Sequence, residues 1–130
     1  MNRQTILIFR LAAVSGALGV ALGAFGAHGL RNVLDEYSSD IWNKAVFYQL
    51  VHTLGALLIA GCSLAGLLKQ RRANTAAALM LIGICLFSGS LYLLALTGQR
   101  WLGMITPVGG VAFIVGWLLL TLAVTRPTEQ

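Results

Sequence analysis

LAAVSGALGVALGAFGAHGL, residues 11 to 30, is the stretch that decides the fold. It holds no charged residue and five glycines. In water each glycine would disfavour a helix by about 1 kcal/mol relative to alanine, whereas a bilayer penalises unpaired backbone and so keeps such a segment helical. The stretch therefore predicts a transmembrane helix.

Small residues follow one broad side of this helix, where Ser15, Gly19, Gly23 and Ala27 recur every four residues. Small side chains let neighbouring helices approach the backbone closely. We therefore expect the first helix to occupy the centre of the bundle. Its predicted packing surface is made by four glycines: Gly16, Gly19, Gly23 and Gly26.

The composition places the chain among integral membrane proteins. Its residues are 58% hydrophobic and 10% charged, whereas soluble domains carry about 25% charged residues. A formal net charge of +5 would suggest a nucleic-acid partner in a soluble protein, but basic residues at helix ends are better explained by topology and anionic headgroups. We predict the lipid bilayer as a partner and no nucleic acid.

Four apolar runs are each long enough to cross the bilayer, over about residues 6–28, 45–68, 73–97 and 105–124. Residues 1–10 would also suit the start of a cleavable signal peptide, but three later spans make a retained helix the favoured interpretation. The prediction is one integral membrane domain, residues 1–130, folded as an all-α bundle of four transmembrane helices.

The polar segment between the first two spans predicts a short amphipathic helix on the membrane surface. Apolar residues repeat at helical spacing from Leu30 to Tyr37, with charged residues on the other side. Residues 38–40, Ser-Ser-Asp, then offer side-chain oxygens that would cap a new helix beginning near Ile41.

Basic residues are distributed unequally between the two ends of the predicted bundle. With four spans, both termini and the middle loop share one side, which holds six lysines and arginines against three opposite. Because cytoplasmic loops carry the excess of lysine and arginine, both termini are predicted to be cytoplasmic. The six are Arg3, Arg10, Lys69, Arg71, Arg72 and Arg126, and the three are Arg31, Lys44 and Arg100.

Thr106-Pro107 admits two interpretations: a proline kink inside a helix that begins near Trp101, or a capping threonine followed by proline at the first helical position. We favour the second. Helix from Pro107 to Val124 would still measure about 27 Å, nearly the thickness of the hydrocarbon core. Residues 101–105 would then form a non-helical approach.

Four sequence blocks, one in each predicted span, carry a resemblance to a known family. They are VALGAFGAHGL (20–30), YQLVHTL (48–54), LFSGSLYLLALTG (86–98) and ITPVGGVAFIVGW (105–117). The blocks resemble the YgdD-like family of small bacterial inner-membrane proteins, whose relatives include a eukaryotic small transmembrane protein. The resemblance implies a four-helix inner-membrane protein and supplies no catalytic residues.

The acidic residues argue against proton-coupled transport and enzyme chemistry. All four lie outside the predicted spans: Asp35, Glu36, Asp40 and Glu129. Proton-coupled transporters usually place a carboxylate or a relay at membrane depth, and Walker, GxSxG and HExxH motifs are absent here. Cys62 and Cys85 fall in separate spans without metal-ligand spacing and are expected to be buried. We predict a non-enzymatic protein without a cofactor.

Polar side chains in the outer half of the predicted bundle form a candidate site. His52 is predicted about 10 Å inside the second span and Tyr92 about 8 Å inside the third, so the two share a depth. We predict that they belong to one polar cluster. Its members are His28, Tyr48, Gln49, His52, Ser88, Tyr92 and Thr106.

This cluster admits three interpretations. In the favoured one, the side chains hydrogen-bond one another and set the helix register, each bond contributing about 0.6 kcal/mol. In the second, they line a path for a small molecule or an ion. In the third, His28 and His52 hold haem or a metal, which is disfavoured because their depths differ by about 10 Å.

Three classes of function follow from these patterns. The favoured class is a structural or accessory membrane protein that binds a partner protein or lipid through its glycine-rich faces. The alternative is a small channel or carrier, which four helices of this length would form only as a homo-oligomer. An enzyme or redox component has the least support.

Overall fold

The computed structural model describes residues 2–126, which fold into helices joined by short connections. In chain order these are α1 (Arg3–His28), α2 (Glu36–Leu64), α3 (Gln70–Gly83), a π-helical turn (Ile84–Ser88), α4 (Gly89–Thr97), a 3₁₀ helix (Arg100–Met104) and α5 (Thr106–Thr121). Within these residues, four helical stretches are long and apolar enough to cross a membrane: Arg3–His28, Glu36–Leu64, Gln70–Thr97 and Arg100–Thr121. The prediction of an all-α protein with four spans is confirmed.

Helix α2, rather than α1, occupies the centre of the bundle. It contacts α1, α3 and α4, and 44% of its most apolar window is buried, against 11% for α1. The prediction that the first helix is central is therefore wrong. Helix α1 lies at the periphery, and several of its large apolar side chains, such as Leu7, Val14 and Leu18, are exposed on the outside of the bundle.

The glycines of α1 explain this peripheral position. Each of the four predicted packing glycines faces a side chain of α2: Gly16 faces Thr53, Gly19 faces Leu50, Gly23 faces Val46 and Gly26 faces Trp42. They make room for the side chains of one neighbour, not for the backbones of several. Small residues thus identify the buried face of a transmembrane helix without showing how many helices pack on it.

Direct backbone contact occurs instead between α5 and Gln70–Thr97, which we call the third span. A Cβ atom at Gly109 would overlap the backbone nitrogen of Phe87, and one at Gly116 would lie 3.2 Å from the Ala76 carbonyl oxygen. Phe87 belongs to the π-helical turn, a rare feature that locally distorts a helix. The turn, which was not predicted, therefore sits where α5 crosses the third span most closely.

One end of the bundle gathers the start of α1, the α2–α3 connection and the segment after α5. The Thr5 hydroxyl donates to Asn74 Oδ1 (2.7 Å), and the Lys69 amide donates to the Ala123 carbonyl oxygen (2.6 Å). We call this the basic end, because it carries Arg3, Lys69, Arg71, Arg72 and Arg126. The opposite end carries Asp35, Glu36 and Asp40, while Glu129 lies outside the described residues.

The connection between α1 and α2 differs from its prediction. The structure forms turns over residues 29–34 where a short amphipathic helix was expected, and α2 begins at Glu36 rather than near Ile41. The cause is Asp35, whose carboxylate accepts a hydrogen bond from the Ser38 amide (2.7 Å) and so caps α2. This cap starts the helix earlier, and the predicted capping residues 38–40 become part of its first turns.

The start of the fourth span combines both interpretations of Thr106-Pro107. Helix α5 begins at Thr106 with Pro107 in its first turn, as the favoured interpretation required. The approach is a 3₁₀ helix instead of non-helical chain, and the N-cap residue is Ile105. Thr106 does not cap the helix, because its hydroxyl is hydrogen-bonded to that of Ser90 (2.6 Å).

Gly109→Ala should destabilise the bundle, because the added methyl group would meet backbone that cannot move aside. Overpacking of this kind costs about 1–3 kcal/mol. We expect a lower thermal midpoint in detergent, followed by tryptophan fluorescence. Gly110→Ala is the matched control, since its Cβ would make an ordinary 3.9 Å contact with the Phe87 ring. Equal midpoints for the two variants would contradict the close crossing.

Asp35→Ala should weaken the start of α2 at neutral pH. The hydrogen bond from the Ser38 amide lowers the pKa of the Asp35 carboxyl below its ordinary value. Because the folded pKa lies below the unfolded pKa of about 3.9, the stabilisation is fully present above that pH and is lost as pH falls through the folded pKa. The midpoints of wild type and variant should therefore differ at neutral pH and converge in acid.

Asp40→Ala is the control for this measurement, because Asp40 lies in the same first turns of α2 without serving as its cap. The difference between its thermal midpoint and that of the wild type should not disappear in acid as the Asp35→Ala difference does. If the Asp35→Ala difference keeps its full size in strong acid, the capping carboxylate does not stabilise the fold.

Candidate functional site

The predicted polar cluster is divided by α2 into two separate groups. The first, which we call the Gln49 network, consists of Ser15, Gln49, Thr53 and Tyr92. The second, the His52 group, consists of Tyr48, His52, Phe113 and Trp117. Each group connects α2 to a different set of neighbouring helices.

The Gln49 network links α1, α2 and α4. The Tyr92 hydroxyl donates to Gln49 Oε1 (2.6 Å), and Gln49 Nε2 donates to the Ser15 carbonyl oxygen (2.9 Å). The Ser15 and Thr53 hydroxyls are hydrogen-bonded to each other (2.8 Å). Gln49 is only 4% exposed, so its amide is satisfied at both ends inside the bundle and fixes the position of three helices.

The His52 group links α2 to α5. The imidazole stacks on the Phe113 ring with centroids 3.6 Å apart, and Trp117 Nε1 donates to His52 Nε2 (3.1 Å). An indole N–H can only donate, so Nε2 is an acceptor without a proton. His52 Nδ1 lies 2.8 Å from the Tyr48 carbonyl oxygen and must therefore carry the proton. The geometry requires a neutral imidazole with both nitrogens engaged.

The remaining members of the predicted cluster lie apart from both groups. Ser88 is fully buried and donates to the Ala45 carbonyl oxygen (2.7 Å), while Thr106 pairs with Ser90. His28 is exposed at the end of α1. The prediction of one cluster closed by His28 is therefore wrong, and both ring nitrogens of His52 are already hydrogen-bonded within the protein.

The reason for the division is rotational. Gln49 and Thr53 lie on the face of α2 toward α1, whereas His52 lies on the face toward α5. The expected common depth of His52 and Tyr92 is not borne out either, because Tyr92 packs on Trp42 (ring centroids 4.7 Å apart), ten residues before His52 in α2. Residue counting gives a position along one helix, but neither the direction a side chain faces nor its level relative to a neighbouring helix.

The sequence did not identify four of the hydrogen-bond partners: Ser15, Thr53, Ser90 and Trp117. In the sequence, Ser15 stands out only as one of the small residues on one side of the first helix. Its spacing from Gly19 suggested packing, and nothing in its own helix indicates that it pairs with Thr53 on α2. Trp117 lies within a family block, but only the rotation of α5 turns its indole toward His52.

Three further polar or nucleophilic side chains lie outside both groups: Ser63, Cys62 and Cys85. In the part of the chain described, the Ser63 hydroxyl is the one buried side-chain polar atom without a hydrogen-bond partner. Cys62 is half-buried and Cys85 is exposed, so the expectation that both cysteines are buried is wrong for Cys85.

Comparison with known proteins identifies the family. Residues 22–110 match the family described as "Protein of unknown function (DUF423)". A UPF0382 membrane protein of Staphylococcus epidermidis is 47% identical over 119 residues, which cover 89% of this chain and 93% of the relative. The UPF0382 inner membrane protein YgdD of Escherichia coli is 39% identical over 130 residues, which cover 97% of this chain and 93% of the relative.

The chain belongs to this membrane protein family. The resemblance to YgdD-like proteins is thereby confirmed. The UPF0382 membrane protein YwdK of Bacillus subtilis is 42% identical over 118 residues, and the match covers 89% of this chain and 94% of the relative. No solved structure matches the chain. These relatives are described as membrane proteins, and their names assign no activity.

Tyr92→Phe and Trp117→Phe should each lower stability by about 1 kcal/mol, because each removes a donor to a buried acceptor. Their costs should add within about 0.5 kcal/mol in the double variant, since they belong to separate groups. The measurement is the free energy of unfolding in mixed micelles. Tyr37→Phe is the control, because Tyr37 is 71% exposed. A cost of the double variant far from the sum of the two single costs would indicate that Tyr92 and Trp117 belong to one cluster.

Proposed function

We propose that this chain is a structural or interaction protein of the bacterial inner membrane, which binds a partner membrane protein or lipid and catalyses no reaction. One observation carries the proposal: the two large polar side chains at the centre of the bundle, those of Gln49 and His52, are bonded to the protein itself. Gln49 uses both ends of its amide and His52 uses both ring nitrogens. Groups engaged in this way hold helices together and are not free to bind a substrate.

The alternative, a small oligomeric channel or carrier, would use the same polar residues as the lining of a path. Such a lining must exchange hydrogen bonds with the passing ion or molecule. The aromatic stack over His52 and the bonds within the Gln49 network support the structural role, because either would have to open before transport.

The outer surface of α1 supports a role in interaction. Its exposed apolar side chains suit contact with acyl chains, with another membrane protein or with a second copy of the chain, and only one face of α1 is used within the bundle. This arrangement leaves the outward face of α1 available at the periphery.

A liposome flux assay separates the two proposals. Proteoliposomes that contain the wild-type chain should release a fluorescent solute or dissipate an ion gradient no faster than empty liposomes. Gln49→Leu should lower the thermal midpoint and leave flux at the background rate. Flux well above background that Gln49→Leu changes would favour the channel.

We further propose that both termini face the cytoplasm. The six-to-three excess of basic residues supports this orientation, and the relative in Escherichia coli is described as an inner membrane protein. An alkaline phosphatase fused to the C-terminus should be inactive, and a fluorescent protein fused there should be bright. The reverse pattern would show that the basic end faces outward.

A further inference from the structure

Two cavities lie along the seam between α1 and the third span. The first, at the basic end, has a volume of about 740 Å³ and is lined by residues that include Gln4, Leu7, Ile8, Gln70, Arg71 and Asn74. Further along the same two helices lies a second cavity of about 360 Å³, lined mainly by apolar residues that include Leu11, Val14, Leu18, Leu81 and Gly89. Ser15, Gln49 and Tyr92 of the Gln49 network also line it, and their polar groups are hydrogen-bonded within the protein. We call the two together the seam groove.

The seam groove combines a polar mouth with a long apolar interior. The mouth offers the Arg71 guanidinium and three side-chain amides, and Asn74 uses only its oxygen to accept the Thr5 hydroxyl. From Leu7 to Leu22 the α1 wall measures about 22 Å at 1.5 Å per residue, which exceeds half of a hydrocarbon core about 30 Å thick. A ligand that fits both parts needs a polar head and a long apolar tail.

The charge of the mouth indicates the sign of that head. Arg71 belongs to the basic end, and the acids that the structure describes, Asp35, Glu36 and Asp40, lie at the opposite end. Arg72, its neighbour, is bonded to the neutral carbonyl oxygen of Leu122 (2.8 Å). Positive charge at the membrane surface without a carboxylate beside it favours a phosphate group.

We infer that the seam groove binds one anionic phospholipid, with its phosphate at Arg71 and one acyl chain between α1 and the third span. The inference rests on the proposed function and deepens it by naming the class of lipid that is bound. A free phosphate would satisfy Arg71 but leave the apolar part of the groove without an occupant, so the lipid fits more of the observed surface.

Native mass spectrometry of the full-length protein in mild detergent tests the headgroup. With equal amounts of dioleoyl phosphatidylglycerol and dioleoyl phosphatidylcholine added, the wild type should retain one molecule of the anionic lipid in preference to the zwitterionic one. Arg71→Gln should reduce that preference by about tenfold, the factor that corresponds to 1.4 kcal/mol. Arg100→Gln, at the opposite end, is the matched control and should retain the wild-type preference.

A second pair of variants tests the acyl chain. Gly89 lines the seam groove, and a Cβ there would meet nothing within 4 Å, so Gly89→Leu should fill the groove without disturbing the fold. Gly61 on α2 has equally open space and does not line either cavity, which makes Gly61→Leu the matched control. Gly89→Leu should lower lipid retention severalfold at an unchanged thermal midpoint, and Gly61→Leu should not.

Inorganic phosphate at millimolar concentration distinguishes the two sources of the headgroup chemistry. It should leave the bound phosphatidylglycerol in place, because the phosphate ion lacks the acyl contacts. The inference is overturned if phosphate displaces the bound phosphatidylglycerol completely while the Gly89→Leu variant still retains as much of that lipid as the wild type. The site would then bind a free anion. Equal retention of both lipids in wild type and Arg71→Gln also overturns the inference. Either failure would leave the proposed structural role, which the flux assay tests, unaffected.

Discussion

The cost of an unpaired polar group in hydrocarbon governs the arrangement of this bundle. No water is available at that depth, so leaving a buried polar side chain without a partner in the protein is costly. Gln49 avoids this cost through Tyr92 and Ser15, and His52 avoids it through Trp117 and a backbone carbonyl. Because both residues belong to α2 and face different neighbours, satisfying them requires α2 to lie between those neighbours.

Close packing supplies the second constraint, and glycine serves it in two ways. On α1, glycines receive side chains from α2, which can adjust their rotamers. On α5, Gly109 receives the backbone of the third span, which cannot adjust in this way. The π-helical turn lies at this crossing and places Phe87 against Gly109 while Ser88 reaches the Ala45 carbonyl oxygen. The bundle is therefore least tolerant of added volume between the third and fourth spans.

These two constraints leave the surface of the bundle as the part of the molecule that is free to interact. The side chains of Gln49 and His52 are hydrogen-bonded to neighbouring helices, whereas a cavity remains at the seam between α1 and the third span. Basic residues are concentrated at one end of that seam. Under the proposed function, the protein interacts with lipid or with another membrane protein through its periphery, and its interior holds that periphery in shape.

The sequence by itself determined the four spans, because the length of an apolar run must match the hydrocarbon core whatever the neighbouring helices do. It also placed Pro107 at the start of α5. The tertiary structure alone decided the rotation of each helix. That rotation separates His52 from Tyr92, turns the glycine face of α1 toward α2 only, and pairs Ser15 with Thr53. It depends on contacts between residues distant in the chain, and helical periodicity describes a single helix without its neighbours.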